Sequence, residues 1–202
     1  MVLFDGSGIE VDARLVVRGK QGFAVLGERH ENSRESPLEL ILVQALASGD
    51  KMDWIVQKAV ELGVARVIPV QAERSVLRLS GERAQKRQAH WQQVAISACE
   101  QSGRNVVPEV APIQSLTAYL EANAGADRLV LAPGGERPLA DLPRPGAALH
   151  LMIGPEGGWS DSELNACRAT GVIVLGLGPR ILRTETAGLA AIAAMQARWG
   201  DL

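Results

Sequence analysis

The hydrophobic pattern of the chain changes character near residue 38. Before that point, apolar residues come in short runs between glycine turns. Asp5-Gly6-Ser7-Gly8 and Arg18-Gly19-Lys20-Gln21-Gly22 bracket a strand-like segment at 11–17, and 23–26 follows as a further strand. Three short strands bury little area and are marginal alone, so this part reads as a piece of a small β domain. Residues 28–37 are polar, with Asn, Ser and Pro, and read as a linker. Beyond it, strands and helices alternate. Residues 38–46 form an apolar run suited to a buried strand. Residues 50–62 carry Trp54, Ile55, Ala59 and Leu62 at helical spacing, with Gly63 placed to end the helix. A strand at 64–70 precedes a long helix at 82–103 whose inward stripe is Trp91, Val94, Ala95, Ala98 and Cys99. A short helix follows at 116–122, and strands at 129–132, 149–153 and 172–175. Between the last two, 160–170 is a helix opened by Ser160 and Glu163 as a capping box. The final helix covers 185–199, where small residues permit close helix approach but also simply favour a helix. The alternation predicts an α/β domain with a mostly parallel sheet over 37–202, after a β segment and linker over 1–36.

Composition narrows this picture. Hydrophobic residues make up 47% and aromatics only 3%, so Leu, Val, Ile and Ala must build the core. The formal net charge is -2, so a nucleic-acid surface would have to be local. Residues 66–104 offer one: Arg66, Arg74, Arg78, Arg83, Lys86, Arg87 and Arg104 stand against Glu73, Glu82 and Glu100. Arg83, Lys86, Arg87 and His90 share one helix flank, which reads either as a solvated face or as a phosphate contact. Cys99 and Cys167 fit no metal spacing, and His30, His90 and His150 are scattered, so no metal is expected. The apolar runs fall far short of the roughly 20 residues of a membrane span. The first residues carry no basic n-region, and a cytoplasmic protein is expected.

The chemistry-bearing segments lie late in the chain. Gly154-Pro155-Glu156-Gly157-Gly158 follows the strand at 149–153, and Gly176-Leu177-Gly178-Pro179-Arg180 follows the strand at 172–175. Ligands of open α/β sheets bind at the carboxyl ends of strands, and glycine there admits a ligand close to the backbone. Read blandly, these are two strand-to-helix turns. No P-loop sequence occurs, and the second loop lacks the third glycine of a dinucleotide fingerprint, with Ile181 in its place. Backbone recognition of a ligand without a phosphate chain remains, and S-adenosylmethionine qualifies. Its binding set would be Leu131, Pro133, Ile153, Gly154, Gly157, Leu175, Leu177, Gly178, Ile181, Leu182, Thr184, Thr186 and Ala187. Glu185 near a helix start also simply suits the helix dipole, and Thr184 or Thr186 suits an N-cap.

Those two loops, continued through Ile181-Leu182-Arg183-Thr184-Glu185-Thr186-Ala187, resemble the RsmE family of 16S ribosomal RNA uridine-N3 methyltransferases, of the SPOUT class. Lys51-Met52-Asp53-Trp54, Lys58-Ala59-Val60-Glu61-Leu62-Gly63-Val64, Glu73-Arg74-Ser75-Val76 and Ala98-Cys99-Glu100-Gln101-Ser102-Gly103-Arg104 extend the resemblance over about 38–199. It implies a SPOUT-type parallel sheet with a C-terminal trefoil knot, an exception to ordinary chain threading. It implies a homodimer with a shared site, and 16S ribosomal RNA of the small subunit as substrate. Family members carry an N-terminal PUA-like barrel. This chain opens on what reads as a middle strand of it, so either the chain is a fragment or mis-started, or its RNA module is reduced; in both cases weaker RNA binding is expected of the chain as it stands. Arg183, Glu185 and Glu156 are the catalytic candidates, with Glu100 as a further candidate base; Arg183 would orient the uridine or stabilise its anion. Arg74, Arg78, Arg83, Lys86, Arg87, Glu100 and Arg104 are the RNA-facing candidates, although Glu100 and Arg104 are also spaced as a surface ion pair. Two other readings stay open at this point: a SPOUT methyltransferase with another RNA target, and a noncatalytic RNA-binding protein of ribosome assembly.

Overall fold

The structure is a computed structural model that describes residues 1–202. It opens on an antiparallel sheet of β1 (Val2–Phe4), β2 (Ile9–Arg18) and β3 (Gln21–Glu31), in that order. The two longer strands have 10 and 11 residues, so they are not short, and β3 consumes part of the expected linker. Backbone pairing explains this: Ile9 pairs with Glu31 and Glu10 with His30, and such pairing needs no apolar side chains. β3 is exposed at every position, and Leu15, Val17, Phe23, Val25 and Leu26 stand uncovered. This sheet builds no core of its own.

The rest of the linker is a fixed joint. Gly8 N–H donates to the Asn105 carbonyl (3.1 Å), and Asn105 Nδ2 donates to the carbonyls of Gly8 (3.2 Å) and Asn32 (2.6 Å). Arg34 donates to Glu10 (2.5 Å) and to the Gly103 carbonyl (2.6 Å). Arg104 pairs with the Glu35 carboxylate and donates to the carbonyls of Val60 (2.8 Å) and Val64 (3.0 Å). These bonds clamp the N-terminal sheet onto the body.

The body comprises β4 (Leu40–Ala45), α1 (Lys51–Glu61), β5 (Arg66–Gln71), α2 (Gly81–Ser102), β6 (Glu109–Val110), β7 (Gln114–Ser115) and α3 (Leu116–Ala122). It continues with β8 (Asp127–Leu131), β9 (Arg137–Pro138), β10 (Leu149–Ile153), α4 (Asp161–Ala169), β11 (Ile173–Gly176) and α5 (Thr184–Trp199). Its strands pair in parallel in the order β6-β5-β4-β10-β8-β11-β9, with β7 beside β5. Side chains alternate across β4. Leu40 and Leu42 join α1, α2 and α5 around Met52, Trp91 and Ile192, while Ile41, Val43 and Ala45 join α3 and α4 around Tyr119 and Cys167. Truncating one such fully buried leucine to alanine costs about 2–5 kcal/mol. Trp54 departs from expectation. It is 52% exposed, because the inward face of α1 is Met52, Ile55, Val56, Ala59 and Val60; Trp54 instead carries the Lys58 ammonium 5.1 Å from its ring.

Strand order departs from chain order where β10 inserts between β4 and β8. After β8 the chain turns at 132–136 and crosses the carboxyl end of β11: Ala132 N–H donates to the Leu175 carbonyl (3.2 Å) and Glu136 N–H to that of Val174 (3.1 Å). A Cβ on Gly135 would lie 2.2 Å from the Leu175 carbonyl carbon, so only glycine permits the crossing. The carboxyl ends of β8, β10 and β11 lie side by side, because the three strands are neighbours in the parallel sheet.

Candidate functional site

A cavity of about 230 Å³ opens where those strand ends meet the start of α5. One water occupies about 30 Å³, so the space is molecule-sized. Leu131 and Pro133 come from the end of β8, and Ile153, Gly154 and Gly157 from β10 and its loop. Leu177, Gly178, Ile181 and Leu182 come from the loop after β11, and Thr184 and Ala187 from α5. Two residues of the expected set lie elsewhere. Leu175 is a fully buried strand residue in the core, and Thr186 points to solvent on the outer side of α5. Five lining residues stand outside the expected binding set: Ala132, Pro155, Gly158, Trp159 and Arg180. Their signal was adjacency, since each lies within or beside a loop already marked by its glycines.

Local chemistry shapes the walls. A Cβ on Gly154 would lie 3.2 Å from both the backbone nitrogen and the indole Nε1 of Trp159. The Trp159 indole N–H is buried and has no partner. Gly178 has φ +74°, a conformation L side chains adopt at a cost. The Thr184 hydroxyl donates to the Gly154 carbonyl (2.6 Å) and accepts from Gln44 Nε2 (3.0 Å). Ser160 caps α4 with Glu163 in a reciprocal box, and Glu163 also accepts from Glu73 N–H (2.8 Å), fixing the far side of the β10 loop.

The candidate carboxylates separate. Glu156 Oε1 accepts from Ser48 N–H (2.9 Å), Ser48 Oγ (2.7 Å) and Lys51 Nζ (2.8 Å). Burial pushes its carboxyl up, but the Lys51 and Ser48 bonds outweigh that and bring it from 4.5 to about 2. These three contacts tie the β10 loop to the start of α1 through Glu156. Glu185, second residue of α5, keeps one buried carboxylate oxygen with no partner. Glu100 is exposed on α2 and borders a separate groove with Ile96, Val107 and β1, away from the glycine loops. Arg183 is exposed at the N-cap of α5.

The basic residues separate as well. Arg74 donates to the carbonyls of Gly157 and Trp159 (3.2 Å each), so it braces the β10 loop. Arg78 donates to the Glu73 carbonyl (2.5 Å). Lys86 pairs with Glu82 (2.8 Å) in solvent, and Arg87 lies 5.5 Å from the Trp91 ring centroid. Arg83 is exposed on the same helix. Arg104 is not an RNA-facing residue: it is 4% exposed, with its guanidinium bound to Glu35 and two carbonyls, and therefore closed to phosphate. The three histidines lie on separate elements, with His30 beside Asp12, His90 beside Asp53, and His150 bonded to the Tyr119 hydroxyl (2.9 Å).

Residues 34–196 match the model of the RNA methyltransferase domain family. The chain belongs to this family. It is 37% identical to the ribosomal RNA small subunit methyltransferase E of Bacillus subtilis, over 95% of this chain and 78% of that protein. It is 32% identical to the enzyme of the same name from Mycobacterium tuberculosis, over 96% of this chain and 78% of that protein. Among solved structures, a ribosomal RNA small subunit methyltransferase E from Neisseria gonorrhoeae, bound to S-adenosylmethionine, superposes with a TM-score of 0.94. It is 47% identical and covers 100% of this chain and 84% of its own. The α/β body with its parallel sheet is thus the SPOUT-type arrangement expected from the sequence.

Proposed function

We propose that the protein uses S-adenosylmethionine to methylate N3 of a uridine in 16S ribosomal RNA, as a homodimer acting on the small ribosomal subunit in the cytoplasm. The observation that carries this reading is the cavity at the three strand ends, in a chain so close to enzymes of that name. The cavity suits the cofactor. Its walls are aliphatic side chains and glycine-rich backbone, without a cluster of basic groups that would suit a phosphate chain, and the unpartnered Trp159 N–H offers a donor in the wall.

When bound, S-adenosylmethionine supplies a methyl group made electrophilic by its sulfonium. The residues of this chain have the remaining work. N3 of uridine must lose its proton and be held in line with the methyl group. Near the glycine loops, Glu156 is committed to Lys51 and Ser48, which leaves Glu185 with its free oxygen as the acceptor for the N3 proton. Arg183 and Arg180 form no ion pair and carry the charge that stabilises the uridine anion and its neighbouring phosphates. Arg78, Arg83, Lys86 and Arg87, on α2 and the turn before it, are further candidates for phosphate contact, and the uncovered N-terminal sheet is read as part of a PUA-like RNA module. Ile181, 82% exposed on the cavity loop, gives a second copy an apolar contact beside the site. The crossing of 132–138 over β11, with α5 returning to pack on α1 and β4, fits a trefoil knot.

The decisive experiment incubates the protein with small ribosomal subunits and methyl-labelled S-adenosylmethionine, then maps the modified nucleotide. A single N3-methyluridine in 16S RNA is expected. Label on a ribose hydroxyl or on transfer RNA alone would refute the assignment, and absence of transfer with intact cofactor binding would favour a noncatalytic assembly role.

A further inference from the structure

Gln44 lies at the end of the central strand β4, and its side chain is fully buried among aliphatic residues. Nothing in the strand requires an amide there, since Leu42 and Leu46 on the same face are also fully buried. Gln44 Nε2 donates to the Ala45 carbonyl (2.9 Å) and to Thr184 Oγ1 (3.0 Å), while Gln44 Oε1 is buried without a partner. An apolar residue of similar volume would remove that unpaired oxygen, so stability alone does not account for the glutamine. Because the amide donates to Thr184 Oγ1, the Thr184 hydroxyl must direct its own hydrogen elsewhere, and it donates to the Gly154 carbonyl (2.6 Å). Two hydrogen bonds in series therefore tie the end of β4, the first residue of α5 and the start of the β10 loop. Thr184 and Gly154 both line the cavity, whereas Gln44 does not.

We propose that Gln44 is a positioning residue for the cofactor site: through Thr184 it fixes the β10 loop against the start of α5, in the geometry the ligand requires. The proposal rests on the cofactor reading of the cavity. Gln44 touches no ligand and acts only through the Thr184 hydroxyl. Replacing it with methionine keeps the volume and removes both the donor and the unpaired acceptor.

Three measurements on Gln44→Met, Thr184→Val, Thr184→Ser and the double variant Gln44→Met/Thr184→Val test this. In calorimetry, Gln44→Met and Thr184→Val should each weaken S-adenosylmethionine binding about five- to tenfold, as loss of roughly one net hydrogen bond implies. The double variant should be no weaker than either single one, and Thr184→Ser should stay near the unaltered protein. Thermal unfolding should show Gln44→Met as stable as the unaltered protein or more so. Hydrogen exchange on the ligand-free protein should show faster exchange at 154–159 and unchanged exchange in α2. Unaltered affinity and exchange in Gln44→Met would overturn the proposal, as would a loss of affinity that merely follows a loss of stability. If the unaltered protein fails to bind S-adenosylmethionine, the cofactor reading falls, while the exchange data still decide whether Gln44 holds the loop.

Discussion

Replacing Glu156 by glutamine distinguishes an anchor from a base. The lowering of its carboxyl from 4.5 to about 2 sets an upper bound of about 3 kcal/mol on its contribution to stability. The side chain is 26% exposed and its partner Lys51 is 36% exposed, so solvent screening reduces the figure to about 1–2 kcal/mol. The sign follows from linkage. A carboxyl lowered in the folded state stabilises above its unfolded value near 4.5, and that contribution disappears as pH falls through about 2. Glu156→Gln lacks the titration, so the stability gap between the two proteins should be widest at pH 7, about half as large near pH 3, and absent well below pH 2. Urea unfolding of both proteins from pH 7 to pH 3 measures the gap directly, and other titrating groups cancel in the difference. A gap that is constant with pH, or widens as pH falls, would refute the anchor. Methyl transfer gives the second arm. A general base contributes roughly 10²–10⁴-fold, so a loss of that size in kcat, at saturating cofactor and with affinity intact, would make Glu156 the base after all.

Two further outcomes are expected. Gly178→Val forces a β-branched residue into φ +74°, at a cost of about 1–3 kcal/mol in local strain, so cofactor affinity should fall at least about tenfold; an unchanged dissociation constant by calorimetry would remove Gly178 from the site. Arg104→Leu removes the donor to the part-exposed Glu35 carboxylate and to the Val60 and Val64 carbonyls, of which Val60 keeps its bond from Gly63 N–H, so unfolding should become easier by about 3 kcal/mol; full stability with weakened RNA binding would return Arg104 to the RNA surface.

The parts of the fold that were legible in the sequence are those where one local rule decides. The helix at 116–122 matches α3 at both ends because Ser115 supplies an N-cap, accepting from Ala118 N–H (3.1 Å), before an apolar run. The strand at 149–153 matches β10 because it is buried on both faces and every residue reads apolar apart from His150. The glycines at 154, 157, 158 and 178 marked the cavity because close approach at 154 and 157 and positive φ at 158 and 178 leave glycine as their trace. Trp54 misled because helical spacing locates an apolar stripe without saying where its edge falls, and a tryptophan at the edge can be covered by a lysine instead of the core.

What stayed illegible is set by contacts between residues far apart in the chain. Arg104 read as a phosphate ligand because a charge in a basic stretch is usually solvated; its burial depends on Glu35, 69 residues away, and on two carbonyls of α1 and the turn that follows it. Glu156 read as a base because a carboxylate in a glycine loop suits that chemistry; its anchoring depends on Lys51 and Ser48, 105 and 108 residues away. Gln44 read only as a polar interruption within the apolar run at 38–46, and its partner Thr184 is 140 residues distant. In each case the side chain's chemistry was readable while its partner was not, and the partner decides the role. A carboxylate bonded to an ammonium loses basicity, a guanidinium bonded to carbonyls loses its phosphate, and an amide bonded to a hydroxyl gains control over a loop it never touches. The strand insertion that places β10 between β4 and β8 creates the Glu156 and Gln44 pairings, because it sets the start of the β10 loop beside the ends of β4 and the start of α5. The same topology that permits a cavity at the strand ends therefore also supplies the buried polar contacts that hold its walls.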